Sequence, residues 1–164
     1  MSAKKERGNS IKLHPIQTLS IDVVELHIRV NKRLTGKEEL ESPPISLGVA
    51  HGEYDSNNNT IQVAVKVEIG TEKEEPLLPF SLKVELVGEF EVDEGAFPVD
   101  KISDWAKRNA PYIFFPFLRE QVYSLTARAG FPPLILPLLE VPTVKIEPPT
   151  KPKEPKQKTS KAKF

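Results

Sequence analysis

The sequence of 164 residues contains no cysteine, which excludes disulfide bonds, thiolate metal sites and cysteine nucleophiles. It also lacks a long hydrophobic run. The most apolar stretches, 111–118 and 131–139, are short and interrupted by prolines, whereas a membrane-spanning helix needs about 18 apolar residues. The charged N-terminus is not followed by an apolar signal core, so no export signal is expected. These absences predict a cytoplasmic protein without an integral membrane segment.

Residue patterns typical of catalysis are also scarce. The histidines, His14, His27 and His51, lie far apart in the sequence, and none stands at a metal-ligand spacing from another. The eight glycines are scattered, so no glycine-rich phosphate loop exists, and serine nucleophile motifs are absent. The run 55–59 lacks the glycine and the distal glutamate of a calcium loop and favours a turn. The sequence therefore predicts no enzyme activity, no metal and no cofactor.

The formal net charge of zero conceals an uneven distribution. Residues 1–12 carry four basic side chains against one acidic (net +3), and residues 145–164 carry seven lysines against two glutamates (net +5). The segment 13–144 holds the remaining twelve basic and twenty acidic residues (net −8). An acidic body of this kind repels nucleic acid and favours basic partners, so no nucleic-acid partner is expected.

The composition divides the chain into a flexible basic N-terminus (1–12), one folded domain (13–144) and a disordered tail (145–164). The tail is rich in lysine and proline and has almost no large apolar side chains. It therefore cannot bury enough surface to offset the entropy cost of ordering. Two roles are open for it: a solvated tail, or a basic contact arm for an acidic partner or a membrane surface.

The first half of the domain alternates apolar and polar side chains with the period of two that is typical of strands. The alternation is clearest over 60–70 and 80–92; it is also present over 24–30 and, more weakly, over 45–49. The run 55–59 predicts a hairpin turn between the second and third strands. Short connections between four such strands predict an antiparallel meander, apolar on one face and charged on the other.

The second half changes to helical spacing. Apolar residues recur at that spacing between 99 and 109, and Pro111 fits the first turn of a second helix. Gly130 is expected to end this helix, and 131–144 is an apolar, proline-rich loop. The predicted fold class is α+β, with a four-stranded antiparallel sheet followed by a long kinked helix.

The second helix is too apolar for a domain of this size. Its apolar positions run around most of the helix, so we expect burial on more than one side, against the sheet and against a partner subunit. The residues predicted to form this helix core and homo-oligomer interface are Phe114, Phe115, Leu118, Val122 and Leu125. The loop that follows is equally apolar, and either structural packing or contact with a ligand accounts for it.

Two segments resemble the SecB family of protein-export chaperones. The sequence NAPYIFFPFLRE at 109–120, followed by FPPLIL at 131–136, is similar to the family's proline-containing helix with its Arg-Glu pair and Phe-Pro turn. The segment 84–90, which includes Gly88, resembles the family's last strand. The resemblance covers 84–136, roughly a third of the chain, and the upstream strands match the family only in pattern.

The resemblance implies an ATP-independent holdase that binds unfolded or export-competent polypeptides along apolar grooves. It also implies a homo-oligomer, either a dimer or a dimer of dimers, with helices sandwiched between sheets. The family's second helix, which follows the loop, is expected to be missing here. The residues expected to form the client groove are Phe131, Leu134, Leu136, Leu138, Leu139 and Val141.

In the SecB family the motor protein SecA docks on acidic residues of the sheet's outer face. Ser81 and Lys83 stand at two of these positions here, and Lys83 reverses the charge. The acidic residues that remain on this face, and that we expect to dock a partner, are Glu25, Glu85, Glu89 and Glu91. Two kinds of client are therefore open: exported preproteins delivered to SecA, or one dedicated partner such as an antitoxin.

Overall fold

The computed structural model describes residues 11–34, 43–70 and 78–140. The elements in chain order are β1 (Ile16–Val30), β2 (Ile45–His51), β3 (Thr60–Ile69), β4 (Phe80–Val92), a 3-10 turn (Val99–Lys101), α1 (Ile102–Arg108) and α2 (Ala110–Arg128). The predicted α+β class, with its four antiparallel strands and long bent helix, is confirmed. The predicted tail 145–164 and most of the predicted N-terminal segment lie outside the described residues.

The order of the strands differs from the predicted meander. The sheet has the order β1-β4-β3-β2, so only β2, β3 and β4 follow one another across it, and β1 lies beside β4. Strand length gives the physical reason. β1 has 15 residues and β4 has 13, and they pair from Ile16 opposite Val92 to Val30 opposite Phe80. The seven-residue β2 could satisfy only half of the backbone groups of β1.

β1 is also longer than the alternation over 24–30 predicted. Its register with β4 shifts between Thr18 and Ser20 and again between Val23 and Glu25. Each shift is a β-bulge, which adds one residue to β1 and moves the following side chains to the opposite face of the sheet. The first half of β1 therefore lacks a period-two alternation in its sequence, although it is paired with β4 on both sides of each bulge.

The core lies between one face of the sheet and the two helices. α2 packs on β1, β3 and β4, whereas α1 packs on β2. Phe90 of β4 contacts both helices edge-on, with its ring centroid 5.1 Å from that of Trp105 and 5.8 Å from that of Phe114. The two helices are therefore fixed to the same strand, and their mutual angle is set by the break at Asn109.

The ends of α2 follow the predicted signals. Pro111 lies in its first turn, Pro116 interrupts its hydrogen-bond ladder one turn later, and the helix ends at Arg128. Gly130 adopts a positive φ of 85°, a conformation that glycine tolerates best. The next amide, that of Phe131, donates to the carbonyl of Thr126 at 3.1 Å, as in a helix-terminating Schellman motif.

Gly88 of β4 lets α2 approach the sheet closely. A Cβ atom at this position would lie 2.7 Å from Cζ of Phe114 and 3.1 Å from the carbonyl oxygen of Ser20. Phe114 is fully buried, so its ring has no free space into which to move. The Phe114 ring therefore packs in the space that a side chain at position 88 would occupy.

We predict that Gly88→Ala lowers the free energy of unfolding by about 1–3 kcal/mol, because the added methyl overpacks the core. Urea denaturation measures the change. Gly52→Ala is the control, since a Cβ at Gly52 meets nothing within 4 Å. In the Phe114→Leu background the same Gly88 substitution should cost less. Equal costs in the two backgrounds would show that the Phe114 ring is not the obstacle.

Candidate functional site

The sheet is wider than the helix that covers it. A helix with its side chains is about 10 Å across, whereas four strands spaced about 4.8 Å apart extend over about 14 Å between the outer two. The apolar side chains of the middle strands, β3 and β4, are buried, while those of the edge strands stay partly exposed. Two apolar strips result, one along β1 and one along β2, on the face that carries the helices.

The strip on β2 consists of Ile45, Leu47 and Val49, which are 37–39% exposed. The backbone groups of these three residues point away from the sheet. Beyond the strand, the amide of Gly52 donates to the carbonyl of Gln62 at 2.9 Å, so even-numbered residues bond to β3 and odd-numbered residues face the outer edge. Within the described residues no further strand pairs with this edge.

The loop 131–140 folds back beside this strip. Phe131 packs on Phe80 with ring centroids 4.9 Å apart, which anchors the start of the loop. In its middle, the amide of Leu134 donates to the Thr126 hydroxyl at 2.9 Å. Near its end, the Tyr112 hydroxyl donates to the carbonyl of Glu140 at 2.5 Å. These three contacts hold an extended, proline-rich segment in one position without any regular structure of its own.

A groove of about 330 Å³ lies between β2, the junction of the two helices and the end of the loop. Its apolar wall is formed by Leu47 and Val49 of the strip together with Pro111, Tyr112 and Leu139. Its charged side chains are Lys107 and Arg108 at the end of α1 and Glu140 in the loop. The free edge of β2 borders the groove, so apolar surface and unpaired backbone groups stand side by side.

The residues predicted as the client groove occupy different environments. Phe131 and Leu136 are buried, at 6% and 1% exposure, and belong to the core. Leu134 and Leu139 pack partly buried against that core. Leu138 is 81% exposed, and Val141 lies outside the described residues. Of the two roles left open for the loop, structural packing therefore accounts for Phe131 and Leu136, which have no surface to offer a client.

The sequence reasoning missed Ile135, which is 63% exposed beside Leu138. Its neighbours differ, because Leu134 packs partly buried against the core and Leu136 is buried. The inward residues of this loop, 131, 134, 136 and 139, follow no regular period, so no sequence pattern marks Ile135 as exposed.

The residues predicted as an oligomer interface on α2 face their own sheet. Phe114, Leu118 and Val122 are 0% exposed, Phe115 is 9% exposed, and Leu125 is partly buried against the core. The core part of the prediction therefore agrees with the structure. These side chains have little surface left to bury against a second chain, which corrects their assignment to an interface. The exposed apolar residues of α2 are Phe117 and Tyr123, at 49% and 47%.

The second apolar strip, on β1, is only partly covered by α2 in the described part of the chain. Its exposed members opposite buried residues of β4 are Val23, Leu26 and Val30, at 43–50%, and the bulged residues Leu19 and Val24 are exposed as well. β1 pairs with β4 along one side, and its other side is an edge of the sheet. An edge strand of this length with apolar side chains is a template for pairing with another chain.

The predicted docking carboxylates lie on the outer face of the sheet in two settings. Glu25 forms an ion pair with Lys83, whose Nζ is also 3.6 Å from Glu85. The hydrogen bond to Glu25, together with the charges of both glutamates, raises the pKa of Lys83. Glu89 and Glu91 form no ion pair within the described part of the chain. Lys83 thus offsets one of the two carboxylate charges in this half of the face.

Two of the three histidines, His14 and His51, make structural contacts. Nδ1 of His14 accepts from the amide of Ile16 at 3.0 Å. His51 donates from Nδ1 to the carbonyl of Gly52 at 2.7 Å and accepts at Nε2 from Ser103, 3.2 Å away, which links the end of β2 to α1. The described residues contain no cluster of metal-ligating side chains. None of their helices is long and apolar enough to cross a membrane.

The chain matches one protein family over most of its length. The sequence model of SecB, described as preprotein translocase subunit SecB, matches residues 16–142. An uncharacterised protein of Methanocaldococcus jannaschii is 37% identical over 89 residues, which cover 54% of this chain and 56% of that protein. The protein-export protein SecB of Nitrosomonas europaea is 32% identical over 100 residues, 60% of each chain. The match thus spans little more than half the length of these relatives.

The fold is similar to that of a solved chaperone. The SecB-like chaperone Rv1957 of Mycobacterium tuberculosis, in complex with a ChAD peptide from the HigA1 antitoxin Rv1956, aligns with a TM-score of 0.66 at 18% identity. The alignment covers 79% of this chain and 94% of Rv1957. At this identity the likeness shows the fold, and it agrees with the predicted sheet and helix.

We predict that Thr126→Val loosens the loop 131–140, because Thr126 is fully buried and its hydroxyl is the acceptor for the Leu134 amide. Leaving that amide unpaired is expected to cost about 1–3 kcal/mol. Urea denaturation and hydrogen exchange of the loop amides measure the effect. Thr126→Ser keeps the hydroxyl and serves as the control. Unchanged exchange at Leu134 in the valine variant would contradict this role.

Proposed function

The chain belongs to the SecB family, and from this we propose that it is an ATP-independent holdase that binds unfolded polypeptide. The observation that carries the proposal is the β2 groove, where half-exposed apolar side chains stand next to a free strand edge. A holdase of this kind requires exposed apolar surface and no catalytic group. We propose that it acts in the cytoplasm, without a cofactor and without enzyme activity.

An extended client segment fits this surface by strand addition. Its backbone would bond to the outward-facing amides and carbonyls of Leu47 and Val49, and every second side chain would point into the groove. The backbone bonds are the same for any sequence, which permits many clients. Each large apolar side chain that becomes fully buried contributes about 1.5–3 kcal/mol, and these contributions offset the entropy that an extended client loses on binding.

The exposed part of the loop extends this surface. Leu138 and Ile135 are the most exposed large apolar side chains between α2 and the last described residue. Because the Tyr112 and Thr126 contacts hold the loop in place, these two side chains are presented at little additional cost in entropy. We assign the loop's part of the client site to Leu138 and Ile135, with Leu134 and Leu139 at its base.

A dedicated client is the second candidate function. Lys83 pairs with Glu25 and Glu85 and offsets one of their two charges, which lowers the negative charge available on this part of the outer face to a basic partner. This weakens the case for delivery to SecA. The similar fold of Rv1957 was solved with an antitoxin peptide. A single partner with an apolar, extended segment would use the same groove. Binding to one protein only, without general suppression of aggregation, would favour this candidate.

The first test is the aggregation of a chemically unfolded model protein, diluted into buffer with this protein and no nucleotide. Wild type should suppress aggregation at near-stoichiometric amounts. We predict that Ile135→Ser with Leu138→Ser weakens client affinity by at least about ten-fold, because two apolar contacts are lost.

The matched control is Ile11→Ser with Leu13→Ser, which removes two equally exposed apolar side chains, at 87% and 72%, outside the groove. Equal loss of suppression in both double variants would contradict a role for the loop. No suppression by folded wild type would contradict the general holdase and leave the dedicated partner.

We also propose that the chain forms a homo-oligomer through β1 rather than through the buried side of α2. Antiparallel pairing of β1 with β1 of a second copy satisfies both edges at once and covers the strip that contains Leu26. Phe117 and Tyr123 on the exposed side of α2 remain available for a further contact between two such dimers. Their exposure, at 49% and 47%, leaves them surface to bury there.

We predict that Leu26→Glu reduces the molar mass measured by light scattering, because a carboxylate would be buried at the contact without a partner. Leu26 is 43% exposed in one protomer, so folding tolerates the change. His27→Glu, at the next residue on the opposite face, is the control and should leave the mass unchanged. An unchanged mass for Leu26→Glu would exclude β1 as the interface.

A further inference from the structure

The groove beside β2 has a positively charged end. Lys107 and Arg108 form the last turn of α1, and both line the groove beside Leu47 and Val49. Both side chains are exposed, and neither forms an ion pair within the described residues. The groove is also lined by one acidic residue, Glu140. The apolar surface on which a client would lie is therefore flanked by two adjacent cations on one side.

We infer that this groove selects extended apolar segments that carry an aspartate or glutamate close to their apolar anchor. The inference rests on the proposed function and names the class of client that the groove prefers. A segment added to β2 places every second side chain on the groove side, about 7 Å apart. Lysine and arginine side chains are long enough to reach a carboxylate one such step from the anchor.

This preference for acidic clients is the opposite of what the net negative charge of segment 13–144 favours. The segment 13–144 has twelve basic and twenty acidic residues, and an acidic body attracts basic partners at long range. At the groove itself the two cations act at contact distance and beside apolar walls, where charge pairs are screened less than in open solvent. The local pairing with Lys107 and Arg108 therefore opposes the long-range attraction of the acidic body for basic partners.

A purely structural role for the two cations makes a different prediction. Basic residues in the last turn stabilise a helix by interacting with its carbonyl ends, and Lys107 and Arg108 occupy that turn. A structural role would alter the stability of α1 without changing which client binds. A measurement of client preference, together with one of stability, therefore separates the two roles.

The test uses two fluorescent peptides with the same apolar residues, one with glutamates and one with lysines at the flanking positions. Fluorescence anisotropy gives the affinity of each for the full chain. Wild type should bind the glutamate peptide about ten-fold more tightly. Lys107→Glu with Arg108→Glu should reverse this preference, and the neutral pair Lys107→Gln with Arg108→Gln should abolish it at an unchanged urea midpoint.

The control is Lys12→Glu with Lys101→Glu, which changes the net charge by the same amount at positions that do not line the groove. It should retain the wild-type preference. Equal binding of both peptides by wild type, or an equal shift in the control variant, would overturn the inference while leaving the holdase intact. If wild type binds neither peptide and does not suppress aggregation, both the inference and the proposed function fail.

Discussion

The structure depends on one helix covering a four-stranded sheet. The Phe114 ring rests on the backbone at Gly88, which fixes α2 over the middle of the sheet. A single helix cannot also cover the outer strands, and α1, with seven residues, covers only one end of β2. The apolar strips on β1 and β2 are therefore a direct consequence of this packing, and a second layer would be needed to remove them.

The two strips differ in what surrounds them, and this difference separates their proposed roles. The β2 strip is bordered by a loop that the Thr126 and Tyr112 hydroxyls hold in place, which makes a groove with walls. The β1 strip lies along the edge of a 15-residue strand with two bulges, and a repeated contact between two copies of this strand suits it better than a variable client. A client surface must stay available, whereas an edge strand that stays open invites aggregation. With these separate roles, a second copy can cover the β1 strip while the β2 strip remains free for a client.

The sequence predicted those features that local pattern determines. β3 and β4 were found because alternation continues uninterrupted along both, and α2 because its proline and glycine signals agree with its apolar spacing. The first half of β1 escaped detection because two bulges invert the alternation. The position of β1 beside β4 depends on the similar lengths of these two strands. It cannot be predicted from the pattern of either strand alone.

The site residues were harder to predict than the fold, and the loop shows the reason. Phe131, Leu136 and Leu138 are chemically alike in the sequence, yet two are core and one is exposed. Their difference arises from where Phe80 and Thr126 hold the backbone, which only the folded chain reveals. Lys107 and Arg108 could not be linked to a groove either, since its opposite wall comes from β2, about 60 residues earlier in the chain.

Generality and selectivity can come from different parts of the same groove. Backbone bonding to the edge of β2 depends little on client sequence, and the apolar wall discriminates mainly by size and hydrophobicity. Charged residues at the rim of the groove act differently. A client charge that meets no opposite charge there loses bound water without gaining a partner, which weakens binding. A chaperone can therefore keep a permissive groove and still restrict its clients by changing a few residues at the rim. Lys107 and Arg108 occupy such positions, and the groove does not have to be rebuilt for its preference to change.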